Sequence, residues 1–145
     1  MENQRIQELV KTLELTPHPE GGFYKEVYRS KGEISLEALN GYSGARNYAT
    51  SIYFLLTKNN FSAFHTILQD ELWHHYEGDP VEVHCIDKSG KHYILTLGTN
   101  LSMGERPQAV VEGGEVFGSR VKDGGEYALV GCTVAPGFDF EDFKL

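Results

Sequence analysis

Long apolar runs, basic clusters and cysteines are all scarce in this chain. No stretch approaches the roughly 18 consecutive apolar residues that a membrane-spanning helix needs, so no segment is expected to cross a bilayer. Only 13 basic residues face 21 acidic ones, for a formal net charge of −8. A nucleic-acid reader must displace counterions from phosphates with basic side chains, and an anionic membrane surface makes a similar demand. Neither partner is expected. Cysteine is limited to Cys85 and Cys132, and no CxxC occurs, which removes zinc-ribbon and thioredoxin-type chemistry. The first residues, MENQRIQELVKTLEL, lack the apolar core and small-residue cleavage site of a secretion signal. A cytoplasmic protein with reduced, buried thiols is therefore expected. Repeats, linkers and low-complexity segments are also missing.

What remains is globular composition: 40% hydrophobic and 23% charged residues over 145 positions. That suits one domain, residues 1–145, around a single core. Sixteen glycines, with abundant Phe and Tyr, favour strands joined by turns. Ile6, Leu9, Val10 and Leu13 follow the i, i+3, i+4, i+7 spacing of an amphipathic helix. Asn3 is its candidate cap, and Pro17 and Pro19 close it. This one helix, within residues 1–16, needs a sheet to cover.

The segment TPHPEGGFYKEVYRS reads as Pro/Gly punctuation leading into a strand from about Phe23 to Ser30. His18 and Glu20 are expected to serve that turn locally, in preference to contacting a ligand at a rim. Residues 31–48 read as a loop with a helical turn at SLEALN, in which Arg46 is the one notable charge. Strands follow at Ala49–Thr57, Phe61–Leu68, Glu71–Tyr76, Val81–Asp87, His92–Leu97, Gln108–Val111, Val116–Lys122 and Tyr127–Thr133. Lys88-Ser89-Gly90-Lys91 is a hairpin turn. Short strands with glycine-bearing turns indicate an antiparallel sandwich or barrel. The tail APGFDFEDFKL, residues 136–145 with Ala135, carries Phe138, Phe140 and Phe143. These rings must cover their own barrel or dock on a second subunit.

Chemistry concentrates in FSAFHTILQDELWHHYEG, residues 61–78. It holds three of the six histidines and the only tryptophan. Strand alternation puts His65 on one face with Ile67, and Glu71, Trp73 and His75 together on a face of the next strand. A bulge would exchange His75 for His74. If both faces look inward, an imidazole and a carboxylate share a cavity with aromatic walls, a setting that perturbs pKa values.

The segments HPEGGFY (18–24), SIYFLL (51–56), FHTILQDELWHHYEGD (64–79), ERPQAVVEGG (105–114) and LVGCTVAPGFDFEDF (129–143) resemble, in this order, an uncharacterised bacterial and fungal family of the cupin superfamily. The resemblance implies an all-β jelly-roll barrel over residues 20–135 with a minor N-terminal helix outside. It also implies a homodimer. The usual first cupin motif places two His, one apart, then a Glu, then a Gly after six intervening residues. His65, Glu71 and Gly78 fit it, while Ile67 stands at the second His. In the second motif Phe117 stands where a further His is usual. The narrower family carries Trp where this chain has Val116.

Two of the usual four ligands are too few for a catalytic metal, which generally needs about three from the protein. No metal or other cofactor is expected; were a divalent metal held, His65, Glu71 and His75 would be the ligands. The barrel is expected instead to bind a small polar metabolite of sugar-nucleotide or organic-acid type. Metal-free cupin epimerases transfer protons beside a carbonyl with a His base and a Tyr acid. By that likeness His65, oriented by Glu71, is the candidate base and Tyr53 the candidate acid. Trp73, His75, Gln108 and Phe117 are the candidate ligand contacts. A non-catalytic binding barrel is the alternative, and a metal-dependent oxygenase a weaker one.

Overall fold

The computed structural model describes residues 3–145. Helix α1 (Gln4–Thr12) is followed by strands β1 (Thr16–Pro17), β2 (Phe23–Arg29), β3 (Glu33–Ile34), β4 (Arg46–Asn47), β5 (Thr50–Thr57) and β6 (Ser62–His65). Then come β7 (Asp70–Gly78), β8 (Val81–Ile86), β9 (His92–Leu97), β10 (Gln108–Val111), β11 (Val116–Val121) and β12 (Tyr127–Ala135). All strand pairs are antiparallel. A six-stranded sheet runs β1-β2-β5-β12-β7-β10, and a four-stranded sheet runs β6-β11-β8-β9. The two sheets face one another, as in a jelly roll.

Alternation explains which side chains lie between the sheets. In β8 Val81, Val83 and Cys85 are buried while Glu82, His84 and Ile86 are less so. They meet Phe54, Leu56, Trp73, Phe117 and Val130 in one core. Cys85 and Cys132 are both free and buried, as their apolar settings predict.

Helix α1 covers the opposite face of the larger sheet. Ile6 and Leu9 pack on Leu55 and Leu129, with Tyr53 and Tyr127 at the edge. Asn3 caps the helix by accepting from the Arg5 N–H at 2.7 Å. Arg5 also grips Glu77 with two bonds of 2.6 and 2.7 Å, tying helix to sheet. Met1 and Glu2 of the expected helical segment lie outside the described residues. No helix among the described residues is long and apolar enough to cross a membrane.

The loop over residues 31–48 contains more order than its composition suggests: β3 and β4 pair within it. Arg46 is buried there and makes a bidentate pair with Asp142, both bonds 2.8 Å. That pair straps the C-terminal tail across the mouth of the barrel. Gln69 reinforces it by donating to Asp142 and to the Gly137 carbonyl. Phe138 and Phe143 thus pack on their own barrel, while Phe140 stays half exposed.

Candidate active site

One end of the barrel holds a cavity of about 380 Å³. Its lining comes from the 18–22 turn, β2, β5, β6, β7, β12 and the C-terminal tail. His65 is 4% exposed, and its ring lies between Phe117 and Phe143, with centroids 4.2 and 5.2 Å away. Nδ1 stands 2.7 Å from the Ala63 carbonyl, which only accepts, so this nitrogen carries a proton. The other nitrogen, Nε2, lies 2.9 Å from Glu20 Oε2. Neither atom can donate without a proton, so one proton is held between them. Burial works against a charged imidazole, but the bond to Glu20 and its charge, aided by Ala63 and Glu71, outweigh it and raise the His65 pKa. The imidazolium–carboxylate form is thereby favoured at neutral pH.

Glu20 reaches His65 because the 18–22 turn is pressed against the barrel. The Ala63 N–H donates to the Glu20 carbonyl at 2.8 Å. A Cβ on Gly21 would lie 1.8 Å from the Phe61 carbonyl oxygen, and one on Gly22, at φ +76°, would lie 2.9 Å from the Phe54 ring. Only glycine permits so close an approach at these positions. His18 joins the site by accepting from the Glu20 N–H through Nδ1 at 3.1 Å. Burial first, then the neighbouring His65, pushes its pKa down, against the pull of Glu20, which favours a neutral ring.

Glu71 also lines the cavity. Burial, and then the negative charge of Glu20, push its pKa up to about 7; His65 and the Trp73 indole oppose the rise. Two carboxyl groups and an imidazole therefore share one enclosed space, with one carboxyl poised to exchange protons near neutrality. Trp73, 2% exposed, forms part of the wall with Phe54, Ile67, Phe138 and Phe140.

Of the expected site residues, His65, Glu71 and Trp73 reach the cavity. Four others do not line it. Tyr53 is on the opposite face of β5, among the helix-side residues and edge-on to Tyr76 at 6.3 Å; its neighbours Ile52 and Phe54 are the ones facing in. Gln108 is exposed on β10, opposite His74. Phe117 is sealed in the core behind His65. His75 lies one step too far along β7: it pairs with fully buried Val130, and its Nε2 donates to the Asp79 carbonyl at 2.9 Å. The bulge of β7 falls after His75, so His74 remains on the outer face, its ring stacked on Tyr76. His65, Glu71 and His75 therefore do not converge as a ligand set. Among the described residues no group of three His, Cys, Asp or Glu side chains is arranged to hold a metal ion.

The metal sites usual in jelly rolls of this type do not fit these residues. Ile67 and Phe117 bring hydrocarbon to two ligand positions, and the open nitrogen of His65 is already engaged by Glu20. His18 and Glu20 make the local turn bonds expected of them and in addition line the cavity. The signal for Glu20 was the double glycine after it, which marks a close backbone approach.

The description Cupin superfamily (DUF985) matches residues 7–145. The chain belongs to this cupin family. It is 32% identical to the Saccharomyces cerevisiae protein YML079W over 94% of this chain and 73% of that one. Two solved structures are similar throughout. A hypothetical protein from Leishmania major shares 36% identity over 96% of this chain and 85% of its own, with a TM-score of 0.86. Protein SO0799 from Shewanella oneidensis shares 39% identity over 100% of this chain and 85% of its own, also with a TM-score of 0.86. An oxalate decarboxylase from Bacillus subtilis is similar at 14% identity and a TM-score of 0.60, over 90% of this cupin and 29% of that chain. At that identity the likeness is one of fold.

Proposed function

We propose that this cupin binds a small polar metabolite in its barrel and moves a proton on it, as an isomerase or epimerase does. The observation that carries the reading is the proton held between Glu20 and His65 in a cavity that also contains Glu71. The Glu20 carboxylate, held by the His65 imidazolium, is the base: it takes a carbon-bound proton beside a carbonyl as the C–H electrons form the enol double bond. Glu71, protonated in part near neutrality because its pKa is about 7, gives its proton to the carbonyl oxygen. Return of the proton from Glu20 to the neighbouring carbon completes an isomerisation, and delivery of one from water on the opposite face completes an epimerisation, as an oxygen-bound proton passes back to Glu71. Tyr53 has no part in this scheme.

The test is deuterium exchange. Small carbonyl metabolites are incubated with the protein in deuterated water and their C–H signals followed by NMR. The wild type exchanges one of them, and His65→Ala or Glu20→Gln slows the exchange by roughly 10²-fold, the usual worth of a general base. Binding without exchange by the wild type selects the second reading, a non-catalytic binding barrel. That reading draws support from Ile67 and Phe117, which bring hydrocarbon to two usual ligand positions.

A homodimer remains part of the proposal on a changed footing. The family resemblance still motivates it, but the helix and the tail residues Phe138 and Phe143 are covered within the chain, and Phe140 is 50% exposed. Among the exposed apolar residues, Phe61, Phe64 and Ile94, at 63, 50 and 45%, lie on or beside the smaller sheet. A solution mass near that of a single 16.3 kDa chain refutes it.

A further inference from the structure

The cavity is charged one way. Its walls contain four carboxyl groups, from Glu20, Glu26, Glu71 and Asp139, and one guanidinium, from Arg29. That guanidinium is already occupied. It bonds Glu26 at 2.7 and 3.3 Å, Asn47 at 2.7 Å and the Phe138 carbonyl at 2.9 Å. The charge of His65 is matched by Glu20. Glu71 has no Lys, Arg or His nitrogen within 4.0 Å among the described residues. An incoming phosphate or carboxylate finds no free cation here and meets unpaired negative charge in a poorly solvated space, where repulsion is strongest.

The remaining wall is aromatic. Tyr24, Phe54, Trp73, Phe138 and Phe140 present rings to the same space. Ring faces attract cations, most of all when water is excluded. A further feature points to a bound molecule. The Trp73 indole N–H is buried and points towards the Glu71 carboxyl closely enough to oppose the rise in its pKa, yet among the described residues it makes no well-formed hydrogen bond. A buried donor of this kind calls for a partner, and a ligand oxygen next to the ligand's charged group supplies one.

We infer that the molecule this cavity takes is a small organic cation, a protonated amine on an apolar frame with a neighbouring hydroxyl or carbonyl oxygen, and not a phosphate or organic acid. The amine sits against Glu71 among the aromatic rings, and the oxygen accepts from Trp73. This rests on the reading of the cavity as a small-molecule site and narrows the substrate class; with the amine bound, Glu71 is its ionised counter-ion, and Trp73 replaces Glu71 as the donor to the oxygen.

Charge-matched probes of one shape test it. 2-Phenylethylamine, 2-phenylethanol and phenylacetate are titrated into the wild-type protein at about pH 8, a unit above the Glu71 pKa. Binding is read by NMR shifts of the Trp73 indole N–H and the His65 ring. The expected order is amine over alcohol over acid, with the amine at least about tenfold tighter than phenylacetate. Glu71→Gln, checked for folding by its own spectrum, removes most of that preference. Phenylacetate binding in the cavity as well as or better than the amine overturns the inference and leaves the small-molecule reading standing. No probe of any charge shifting either signal overturns both.

Discussion

His65 Nε2 lies 2.9 Å from a Glu20 oxygen, beside the backbone contact that seats the 18–22 turn on β6. Glu20 belongs to a turn before β2, and His65 ends β6. Their contact turns two residues of unremarkable individual chemistry into an acid–base unit. With Nδ1 fixed on Ala63, the imidazole has one free nitrogen, and Glu20 decides its charge.

The pH dependence of stability follows from Glu71. Its pKa rises from 4.5 to about 7 on folding, so between those values the unfolded chain has lost the proton that the folded chain keeps. Stability from this group is fully present below about pH 4.5 and is lost as pH rises through 7. The loss is on the order of 3 kcal/mol. His65, also raised, acts in the same sense above its ordinary 6.5. In urea unfolding from pH 5 to about 8, Glu71→Gln is expected to flatten the fall seen in the wild type and to be the more stable protein at the upper end.

The tail strap depends on a buried ion pair. Asp142→Asn leaves the Arg46 charge, on a side chain 5% exposed, without its partner. A loss of about 3–5 kcal/mol is expected in denaturant unfolding. Replacing both residues together, Arg46→Met with Asp142→Leu, is expected to cost much less, because no charge is then stranded. Equal losses in the two proteins would show that the cost does not come from a stranded Arg46 charge.

The turn that delivers Glu20 tolerates no side chain at position 21. Gly21→Ala drives a methyl group against the Phe61 carbonyl, at a backbone φ of +114°. An expected loss of about 2–3 kcal/mol is measurable by chemical denaturation, and the His65 pKa falls with it as Glu20 is displaced. A neutral outcome would mean the turn sits farther from β6 than described.

Tyr53 and Gln108 serve as controls for the corrected site. Tyr53→Phe and Gln108→Ala alter side chains outside the cavity. Both are expected to leave ligand affinity and proton exchange within about twofold of wild type, as distant surface or edge changes do. A large loss in either would restore the original placement.

The barrel was legible because its strands alternate and its turns carry glycine. The burial of Val81, Val83 and Cys85 in β8 repeats the sequence pattern residue by residue. His65 and Glu71 were legible from spacing alone, since neighbouring strands carry them. Tyr53 was misplaced because its strand is apolar on both faces: Tyr53 packs beside Leu55 under α1, while Phe54 and Leu56 face the core. Period-two reading cannot choose between two greasy sides. The cavity contact of Glu20 was not legible because its partner is set by the path of an irregular turn, and no periodicity encodes that. Arg46 and Asp142 escaped for the same reason: their pairing joins a loop to the tail.

The central claim is that Glu20 governs the protonation of His65. Nitrogen-15 NMR titration of the His65 ring, in the wild type and in Glu20→Gln, tests it directly. A wild-type pKa above the ordinary 6.5 is expected, with the proton on Nδ1 when the ring is neutral, and a fall of about one unit or more in the variant. A His65 pKa that is the same in both proteins would contradict it.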